Sequence, residues 1–387
     1  MEIVDILKMI APGTQIRAGI DNILKAKTGG LIVIGDGKEV ESIIDGGFNI
    51  NVDFSPARLY ELAKMDGAII LSEDLKKILY ANAQLIPDYS VTTVETGTRH
   101  RTAERVAKQT GKIVISISQR RGIITIYYGN SRYVLEDTAS VMAKSNQALQ
   151  TVEKYRKVFN NKINVLTEYE FNDITTLNVV IEAIQRGEML YKIADEVQKS
   201  IYELGTEGRL LKMQLDELTD GIDDEERLVI KDYIKIDKND SSAKSKDKKA
   251  QDKAKGTNKA QDNTVKEEEN VDEDAILNSA FEKIRSLSYE DLMKEQLIAN
   301  ILGIKENDNF SDVSVYTRGY RILSKVPRMP SFIVDNIVKK FGTWQKILSA
   351  SVEELDEVDG IGEVRAKTIV QTLKRMQEQY MFDSMLY

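Results

Sequence analysis

Short apolar runs alternate with helical patterns over the first third of the chain. Four runs rich in β-branched residues are typical of strands and lie at 31–34, 67–71, 112–117 and 123–128. Apolar residues at helical spacing occupy the intervals at about 14–26, 56–65 and 101–109. Strands that alternate with helices predict an α/β domain, here a mixed central sheet flanked by helices. The first two runs are apolar throughout, so we expect them to be central strands buried on both faces.

The rest of the chain changes to helical periodicity. We place the end of the first domain at residue 137, because from 138 to 236 apolar residues recur every three or four positions. This spacing predicts an all-α spacer or bundle. Helical periodicity returns over 275–387, for which we also expect an all-α fold.

A segment without a core separates these two helical regions. Residues 237–274 carry first a Lys-rich and then an acidic stretch. Between 238 and 264 there are eight Lys and four Asp, and no Val, Ile, Leu, Met or aromatic residue. Such a segment buries too little apolar surface to offset its ordering entropy, so we predict a disordered insert. It is either a solvated linker or an arm that tethers DNA.

Composition narrows the chemistry that the chain can perform. Its 387 residues suggest two or three domains, and the net charge of −8 means that any nucleic-acid contact has to be local. The absence of cysteine excludes disulfides, thiolate zinc sites and cysteine nucleophiles, and the single histidine excludes sites with two imidazole ligands. No apolar run approaches about 20 residues, and the N-terminus lacks the positive charge of a signal peptide. We therefore expect a soluble cytoplasmic protein with no membrane contact.

A glycine-rich motif lies near the end of the chain, in segment 358–369. Gly360 and Gly362 allow a tight hairpin between two predicted helices. Free backbone N–H groups at the start of the second helix suit a nucleic-acid phosphate, and Arg365 and Lys367 add positive charge. The spacing resembles the helix-hairpin-helix motif, which contacts the DNA backbone and not the base sequence. The alternative is a helical hairpin whose glycines only turn the chain.

A second, degenerate copy of this motif is predicted upstream. A short apolar segment ending at Leu323 leads through Val326-Pro327-Arg328-Met329-Pro330 to another apolar helix. This copy lacks the Gly-x-Gly sequence. We therefore expect it to support the fold of a tandem domain more than to bind phosphate.

A polar cluster lies where the third predicted helix begins. It consists of Thr98, Arg99, His100, Arg101 and Thr102. Arginine offers forked donors to phosphate oxygens, threonine adds hydroxyls, and a helix start adds N–H groups. The cluster is a candidate clamp for a polyphosphate. The alternative is a cationic surface loop paired with neighbouring acids.

A carboxylate stands at the mouth of the second apolar run. Asp66 is followed there by Gly67 and Ala68. A carboxylate in this position can hold Mg²⁺ or Mn²⁺ against substrate phosphates, and the metal can lower the pKa of an attacking hydroxyl. Gly67 would let a substrate approach the backbone. Taken alone, the tripeptide is usually a turn.

The two N-terminal motifs together carry a family resemblance. Segments 60–71 and 97–105 are similar to the Asp-Gly-Ala and Arg-His-Arg motifs of the diadenylate cyclase family. With the helical middle region and the C-terminal motif added, the chain resembles the DNA integrity scanning proteins of that family. The Lys-rich segment, at about 238–274, falls outside the resemblance.

The resemblance implies an activity and its partners. The family condenses two ATP into cyclic di-AMP, releases two pyrophosphates and uses Mg²⁺ or Mn²⁺. The 3′-hydroxyl of each ATP attacks the α-phosphate of the other, so two sites must face each other, and the family forms octamers with face-to-face cyclase domains. The resemblance also implies branched or damaged DNA as a partner, contacted through its backbone, which we expect to regulate synthesis.

The resemblance also assigns roles to single residues. Asp66 matches the catalytic carboxylate that binds metal, and Gly67 and Ala68 complete its motif. Arg99-His100-Arg101 matches the phosphate-handling motif and is flanked by Thr98 and Thr102, which we also expect to bind phosphate. Ser118 falls where the family has another phosphate contact. Leu85 lines the adenine pocket or packs in the core. His100 touches phosphate, metal or only the loop backbone, and the sequence leaves this choice open.

A non-catalytic DNA-repair scaffold that senses ATP is the competing interpretation. It would combine the C-terminal DNA contact with an N-terminal domain that binds ATP without reaction. An intact Asp66 beside an intact Arg99-His100-Arg101 favours the enzyme, because a sensor has no need of the metal carboxylate.

Overall fold

The computed structural model describes residues 3–235, 273–305 and 310–384. The described chain forms two compact units. The sheet unit comprises 1–151 and 194–217, and the helical unit comprises 152–193 and 218–387. The predicted spacer, 138–236, contributes residues to both units. The two units therefore do not correspond one to one with the predicted domains, whose boundaries stay predictions. The predicted insert lies outside the described residues, except that Glu273 and Asp274 already begin a helix.

The sheet unit contains the strands and the helices that cover them. In chain order its elements are α1 (Ile3–Ile10), α2 (Gln15–Ala26), β1 (Gly30–Ile34), α3 (Lys38–Glu41), β2 (Ile44–Asp45), β3 (Phe48–Asp53), α4 (Pro56–Leu62), β4 (Ala68–Leu71), β5 (Lys77–Leu85), α5 (Thr98–Thr110), β6 (Ile113–Ile117), β7 (Ile124–Tyr128) and β8 (Ser131–Leu135). The strand order is β2-β5-β4-β1-β6-β7-β8, with β3 also paired to β5. β1 and β4 are parallel, whereas β1 and β6 are antiparallel. The sheet is therefore mixed, as predicted.

Helices cover both faces of this sheet. Ile32 and Ile34 of β1 pack into a core cluster with residues of α1, α2 and α4. Leu31 and Val33 point to the opposite face, into a cluster with residues of α5. Every residue of β1 and β4 is buried. The α/β fold class and the two central strands are confirmed.

Several elements differ from the sequence-based expectation, which did not include the short strand β2 or the helices α1 and α3. β3 and β5 were not predicted, because β5 does not alternate cleanly and Asn82 within it has a φ of +53° at a shift in register. Helix α5 begins at Thr98, three residues earlier than predicted, since the N–H of Arg101 already donates to the carbonyl of Gly97 at 2.8 Å. The polar cluster therefore forms the first turns of the helix and not the loop before it.

The later elements are helical, as predicted. They are α6 (Thr138–Asn172), α7 (Leu177–Leu204), a 3₁₀ turn (Gly205–Gly208), α8 (Arg209–Thr219), α9 (Ile222–Tyr233), α10 (Glu273–Arg285), α11 (Tyr289–Leu292), α12 (Glu295–Ile301), α13 (Tyr320–Ser324), α14 (Ser331–Phe341), α15 (Trp344–Ser349), α16 (Val352–Asp356) and α17 (Glu363–Ser384). Within the described ranges, no helix is long and apolar enough to cross a membrane.

The helical unit contains a buried network of charges around α13. Arg321 is fully buried and pairs with Glu170, which is also fully buried, and with Glu225. Asp232 at the end of α9 accepts the backbone N–H groups of Gly319, Tyr320 and Arg321 at 2.7–2.9 Å, and so caps α13. These bonds tie α13 to α6 and α9.

A substitution of Arg321 by Met should strongly destabilise the helical unit. The change would leave the buried Glu170 with the hydrogen bond from Tyr233 but without its cationic partner, which costs about 3–5 kcal/mol in the free energy of unfolding. Trp344, the single tryptophan of the chain, lies in the same core, so denaturant unfolding can be followed by its fluorescence. Lys325→Met is the control, since it removes only a more exposed partner of Glu225 and should cost less than about 1 kcal/mol. Equal stability of the two variants would contradict the role of Arg321.

Candidate functional site

The candidate nucleotide site lies at one edge of the sheet, where β1 and β4 begin. Leu31 pairs with Ala68, so the two parallel strands start together. Gly30 pairs with Ile117, so the antiparallel β6 ends at this edge. Ala68 also pairs with Ala83, which places the later part of β5 there. The strand register therefore gathers segments that are far apart in the sequence.

Asp66 stands just outside this edge. It is exposed and precedes β4 by two residues, as Gly29 precedes Leu31 in the neighbouring strand. Within the described residues its carboxylate has no hydrogen bond or ion pair. A carboxylate that is free and exposed at a strand mouth fits a hard divalent cation, which prefers oxygen ligands.

The backbone beside Asp66 is tightly constrained. Gly67 has a φ of +94°, and a Cβ on it would lie 2.8 Å from the carbonyl carbon of Asn82. On the other side of β5, a Cβ on Gly47 would lie 2.8 Å from the Cα of Ala83. Both glycines thus fit closely around the bulge at Asn82. Ala68 is buried in the core, so only its backbone is available to a ligand.

Helix α5 directs its N-terminus toward the same edge. Its N-cap is Gly97, which offers no side chain to the free N–H groups of the first turn, so these remain available to an anion. The Arg99 guanidinium reaches the carbonyl of Ile117 at 3.4 Å. A Cβ on Gly29 would lie only 2.5 Å from Nη1 of Arg99, so this glycine makes room for the arginine. The contact places Arg99 beside the start of β1, next to the strand that follows Asp66.

The remaining members of the polar cluster differ in exposure. Thr98 and Arg101 are exposed, and Thr102 is half-buried. No hydrogen bond within the described ranges engages these three side chains. They are therefore free to bind a ligand at the start of α5.

His100 is the most constrained member of the cluster. Its Nδ1 lies 3.0 Å from the Tyr127 hydroxyl, which in turn donates to Oε1 of Glu95 at 2.9 Å. Arg132 donates to the same carboxylate oxygen at 2.6 Å. Burial lowers the pKa of His100, and this outweighs the opposing attraction of Glu95, while Arg132, Arg99 and Arg121 lower the pKa further. The imidazole is therefore held in its neutral form.

The Glu95 carboxylate is the opposite case. Burial acts to raise its pKa, but the hydrogen bonds from Arg132 and Tyr127 outweigh burial and lower it. Burial and the neighbouring Glu95 charge raise the pKa of Tyr127 well above its ordinary value. At neutral pH an ionised carboxylate, a neutral phenol and a neutral imidazole thus lie in a row.

Ser118 and Leu85 both lie at the same edge of the sheet. Ser118 directly follows β6 and is half-buried, and its Oγ accepts the backbone N–H of Arg121 at 3.3 Å. Leu85 ends β5 opposite Ile44 and packs against the core cluster. Its packing role is thus visible, whereas contact with adenine stays a prediction.

The turn after Ser118 carries two cations that the sequence analysis did not single out. Arg120 and Arg121 are both exposed there. The signal for them was present, since an Arg-Arg-Gly sequence lies two residues after an apolar strand. They add positive charge close to the start of β1, because the Cβ of Gln119 in the same turn lies 3.2 Å from a Cβ built on Gly29.

The described residues contain no metal centre built from protein side chains alone. In 3–235, 273–305 and 310–384, no three or more His, Cys, Asp or Glu side chains gather closely enough to hold a metal ion. A metal at this edge would therefore be held by Asp66 together with oxygens of the substrate, which is the usual arrangement for Mg²⁺.

The candidate DNA interface is a tandem repeat in the helical unit. Helices α13 and α14 recur as α16 and α17, and each later helix begins 32 residues after its counterpart. Arg328, with a φ of +58°, occupies the position of Gly360, with a φ of +85°. Leu323 and Leu355 are buried at equivalent positions. The predicted second copy is confirmed, and Arg328 is a cation at its tip whose position the sequence did not reveal.

The second hairpin contains the four residues predicted to bind DNA. Gly360 turns the chain, and its carbonyl accepts a hydrogen bond from Arg365 at 2.6 Å. Gly362 precedes α17 and has open space where a Cβ would stand. Lys367 pairs with Glu363 at 2.5 Å on an exposed face. Gly362 and Arg365 line a groove of about 490 Å³ with Arg328 of the first hairpin.

Comparison with protein families matches three parts of the chain. Residues 17–132 match the DisA bacterial checkpoint controller nucleotide-binding family, 135–254 match the DisA bacterial checkpoint controller linker region, and 320–375 match the SAM-like helix-hairpin-helix tandem. The nucleotide-binding match contains the whole sheet edge described above.

Full-length relatives decide the family. The DNA integrity scanning protein DisA of Acetivibrio thermocellus is 50% identical over 383 residues, which cover 99% of this chain and 96% of that protein. The protein of the same name from Bacillus pumilus is 45% identical over 386 residues, which cover 100% of this chain and 97% of that protein. The chain belongs to the DNA integrity scanning protein family.

A much weaker likeness links this family member to solved structures. DacA from Staphylococcus aureus, in a double-mutant form, is 21% identical with a TM-score of 0.28, over 32% of this chain and 85% of that one. The likeness is too slight to add to the assignment, which depends on the full-length relatives.

Substitution of Gly67 by Ala should destabilise the sheet unit of this DNA integrity scanning protein. The new Cβ would combine a positive φ with a clash against β5, for a loss of about 2–4 kcal/mol in the free energy of unfolding. Gly111→Ala is the control, because Gly111 also has a positive φ, +66°, but open space around it, and should cost about 1 kcal/mol. Thermal unfolding followed by circular dichroism measures both. Equal losses would show that the close contact with β5 has no energetic weight.

Proposed function

We propose that the protein is a diadenylate cyclase that condenses two ATP into cyclic di-AMP and two pyrophosphates. One observation carries the proposal: the strand register and the Arg99–Ile117 contact put the Asp66 carboxylate and the α5 N-terminus at the same edge of the sheet. A carboxylate and a cationic helix start side by side suit a nucleotide with a bound divalent cation. Membership of the family, with its nucleotide-binding match, supports the same assignment.

The protein's contribution to this reaction is positioning and charge neutralisation. The free N–H groups of α5, Arg99 and Arg101 balance the triphosphate charge, and Thr98 and Thr102 add hydroxyl contacts. Ser118 adds a further phosphate contact, and Leu85 packs beside the base. Asp66 would hold Mg²⁺ or Mn²⁺, and the bound metal would supply a lower pKa of the ribose hydroxyl and neutralisation of phosphate charge.

Each condensation forms one ester bond and breaks one anhydride bond. The 3′-oxygen of one ATP attacks the α-phosphorus of the other, the bond between that phosphorus and the oxygen that bridges to the β-phosphate breaks, and pyrophosphate leaves with that oxygen. The hydroxyl proton passes to solvent water. The same step in the opposite direction closes the ring. Since one copy of this edge holds one ATP, two copies must face each other, in keeping with the face-to-face octamer that the family resemblance implies.

Asp66→Asn should abolish cyclase activity without disturbing the fold. The amide keeps the shape of the side chain but lacks the charge needed for the cation, so cyclic di-AMP formation from ATP should fall at least about 100-fold. Chromatography of the nucleotide products measures the rate. Asp36→Asn is the matched control, because Asp36 is an exposed aspartate just beyond the other end of β1 and should leave the rate unchanged.

These experiments distinguish a diadenylate cyclase from a non-catalytic scaffold that only senses ATP. Parental activity in Asp66→Asn would remove Asp66 from the mechanism. If the parent chain binds ATP but never forms a cyclic dinucleotide, the non-catalytic ATP sensor is the better account.

We further propose that the tandem repeat binds the backbone of branched or damaged DNA and regulates cyclase activity. Gly362 leaves the N-terminus of α17 open to a phosphate, and Gly360 gives the hairpin its turn. Arg365 and Lys367 lie within the first turns of that helix and supply positive charge. Such contacts recognise the shape and charge of DNA.

Arg365→Ala should weaken DNA binding uniformly across sequences. Loss of one phosphate contact should reduce the slope of log affinity against log salt concentration by about 1. Fluorescence anisotropy with a labelled four-way junction at several salt concentrations measures both. Lys374→Ala, which removes an exposed lysine farther along α17, is the control and should keep the parental slope.

The same variant tests regulation. Junction DNA should change the cyclase rate of the parent chain and should fail to do so in Arg365→Ala at equal DNA concentration. An unchanged rate in the parent with DNA demonstrably bound would reject regulation.

A further inference from the structure

His100 is the single histidine of the chain. Within the part of the chain that the structure describes, one of its two ring nitrogens has a hydrogen-bond partner. Nδ1 meets the Tyr127 hydroxyl, whereas Nε2 has no hydrogen-bond partner within the described residues. Tyr127 is buried and Glu95 is largely buried, so this arrangement is part of the fold and not a surface contact.

The Tyr127 hydroxyl lies between His100 and Glu95 and can donate its one proton to either of them. The choice determines which nitrogen of His100 carries a hydrogen. If that proton pointed to His100, the phenol oxygen and the ionised Glu95 oxygen would face each other at 2.9 Å with no hydrogen between them. The proton therefore goes to Glu95, which Arg132 keeps ionised. The phenol oxygen can then only accept from His100, and this requires a hydrogen on Nδ1.

We propose that Glu95 and Tyr127 are positioning residues that hold the neutral His100 imidazole as the Nδ1–H tautomer and leave the Nε2 lone pair free in the first turn of α5, beside its N-cap Gly97. In histidine, the hydrogen bond made by one ring nitrogen usually determines whether the other nitrogen carries a hydrogen. Neither residue belongs to the polar cluster of residues 98–102, and each acts through its hydrogen bond and not by direct contact with the nucleotide.

The tautomer limits what His100 can meet. A lone pair on Nε2 accepts a hydrogen bond from a hydroxyl or binds a cation, and it repels a phosphate oxygen. His100 therefore differs from Arg99 and Arg101, which can only donate. The consequence for ATP rests on the proposed function, but the tautomer itself does not.

Nitrogen-15 NMR of the full chain, labelled in the histidine ring, tests the tautomer directly. Because the chain has one histidine, its two ring signals need no assignment among residues, and couplings to the ring protons show which nitrogen carries the hydrogen. Near neutral pH we expect hydrogen on Nδ1. A parent spectrum with hydrogen on Nε2 would overturn the proposal, whatever the variants do.

Three variants test the cause. Tyr127→Phe removes the acceptor for Nδ1–H, and Glu95→Leu frees the tyrosine proton to be donated to Nδ1, so both should shift the tautomer toward Nε2–H. Glu95→Gln keeps an oxygen acceptor and should retain Nδ1–H.

Tyr128→Phe is the control and should match the parent. Tyr128 follows Tyr127 in β7 but packs on the opposite face of the sheet, in the core cluster with α1, α2 and α4. If Glu95→Leu, at its partly accessible site, keeps Nδ1–H, the role of Glu95 is refuted even should Tyr127→Phe fail to fold.

Two additions identify what meets Nε2. ATP without a divalent cation and Mg²⁺ without nucleotide are added separately to the labelled parent, and the addition that shifts the Nε2 signal reveals a hydroxyl or a cation. A shift to the doubly protonated ring with ATP would show a phosphate contact and contradict the proposal.

Cyclase kinetics give the functional readout. Glu95→Leu should lower kcat at least about tenfold with little change in KM, because the arginines still bind ATP, and Glu95→Gln should restore most of the rate. If Glu95→Leu shifts the tautomer but leaves kcat unchanged, the His100 tautomer has no role in catalysis. A parent without cyclase activity but with the Nδ1–H tautomer would refute the proposed function and leave the tautomer assignment standing.

Discussion

The pairing of β1 with β4 on one side and β6 on the other is the constraint on which the nucleotide site depends. The parallel register with β4 brings Asp66 level with Gly29, and the antiparallel register with β6 brings Ile117 to the same edge. A slip of one residue would turn every side chain of a strand to the other face, and both faces of β1 are buried. The apolar packing on the two faces thus fixes the position of the polar residues at the edge.

Glycine and charge then shape the edge itself. Gly29 leaves room for the Arg99 guanidinium, and Gly67 lets the segment after Asp66 lie against the bulged β5. Among the described residues, neither arginine of the clamp pairs with an acid, whereas the neutral His100 is linked through Tyr127 to Glu95. The site therefore combines open positive charge for phosphate with one imidazole whose protonation is set from within the fold.

The strands and turns that follow from local sequence pattern could be predicted from the sequence. The apolar runs that became β1 and β4 stand out, because buried central strands need no polar face. The glycine spacing around Gly360 likewise marks a hairpin directly. β5 escaped prediction since its bulge at Asn82 breaks the alternation, and the start of α5 was placed late because Gly97 serves as the N-cap with no side-chain signal.

Long-range contacts were beyond the sequence. Glu95, Tyr127 and Arg132 come together only because β7 and β8 form a hairpin next to α5, and nothing in their spacing indicates a link to His100. The positive φ of Arg328 is similar, since the degenerate hairpin lacks the glycine that would announce its turn.

A crystal structure with bound nucleotide would show whether Asp66 and the N-terminus of α5 form the ATP site. Crystals grown with Mn²⁺ and 3′-deoxyadenosine triphosphate, which has no attacking hydroxyl, can be measured at a wavelength where manganese gives an anomalous signal. The account predicts a manganese peak at ligand distance from the Asp66 carboxylate, with the triphosphate over the N-terminus of α5 and Arg99. A triphosphate bound elsewhere, or a manganese peak away from Asp66, would contradict it.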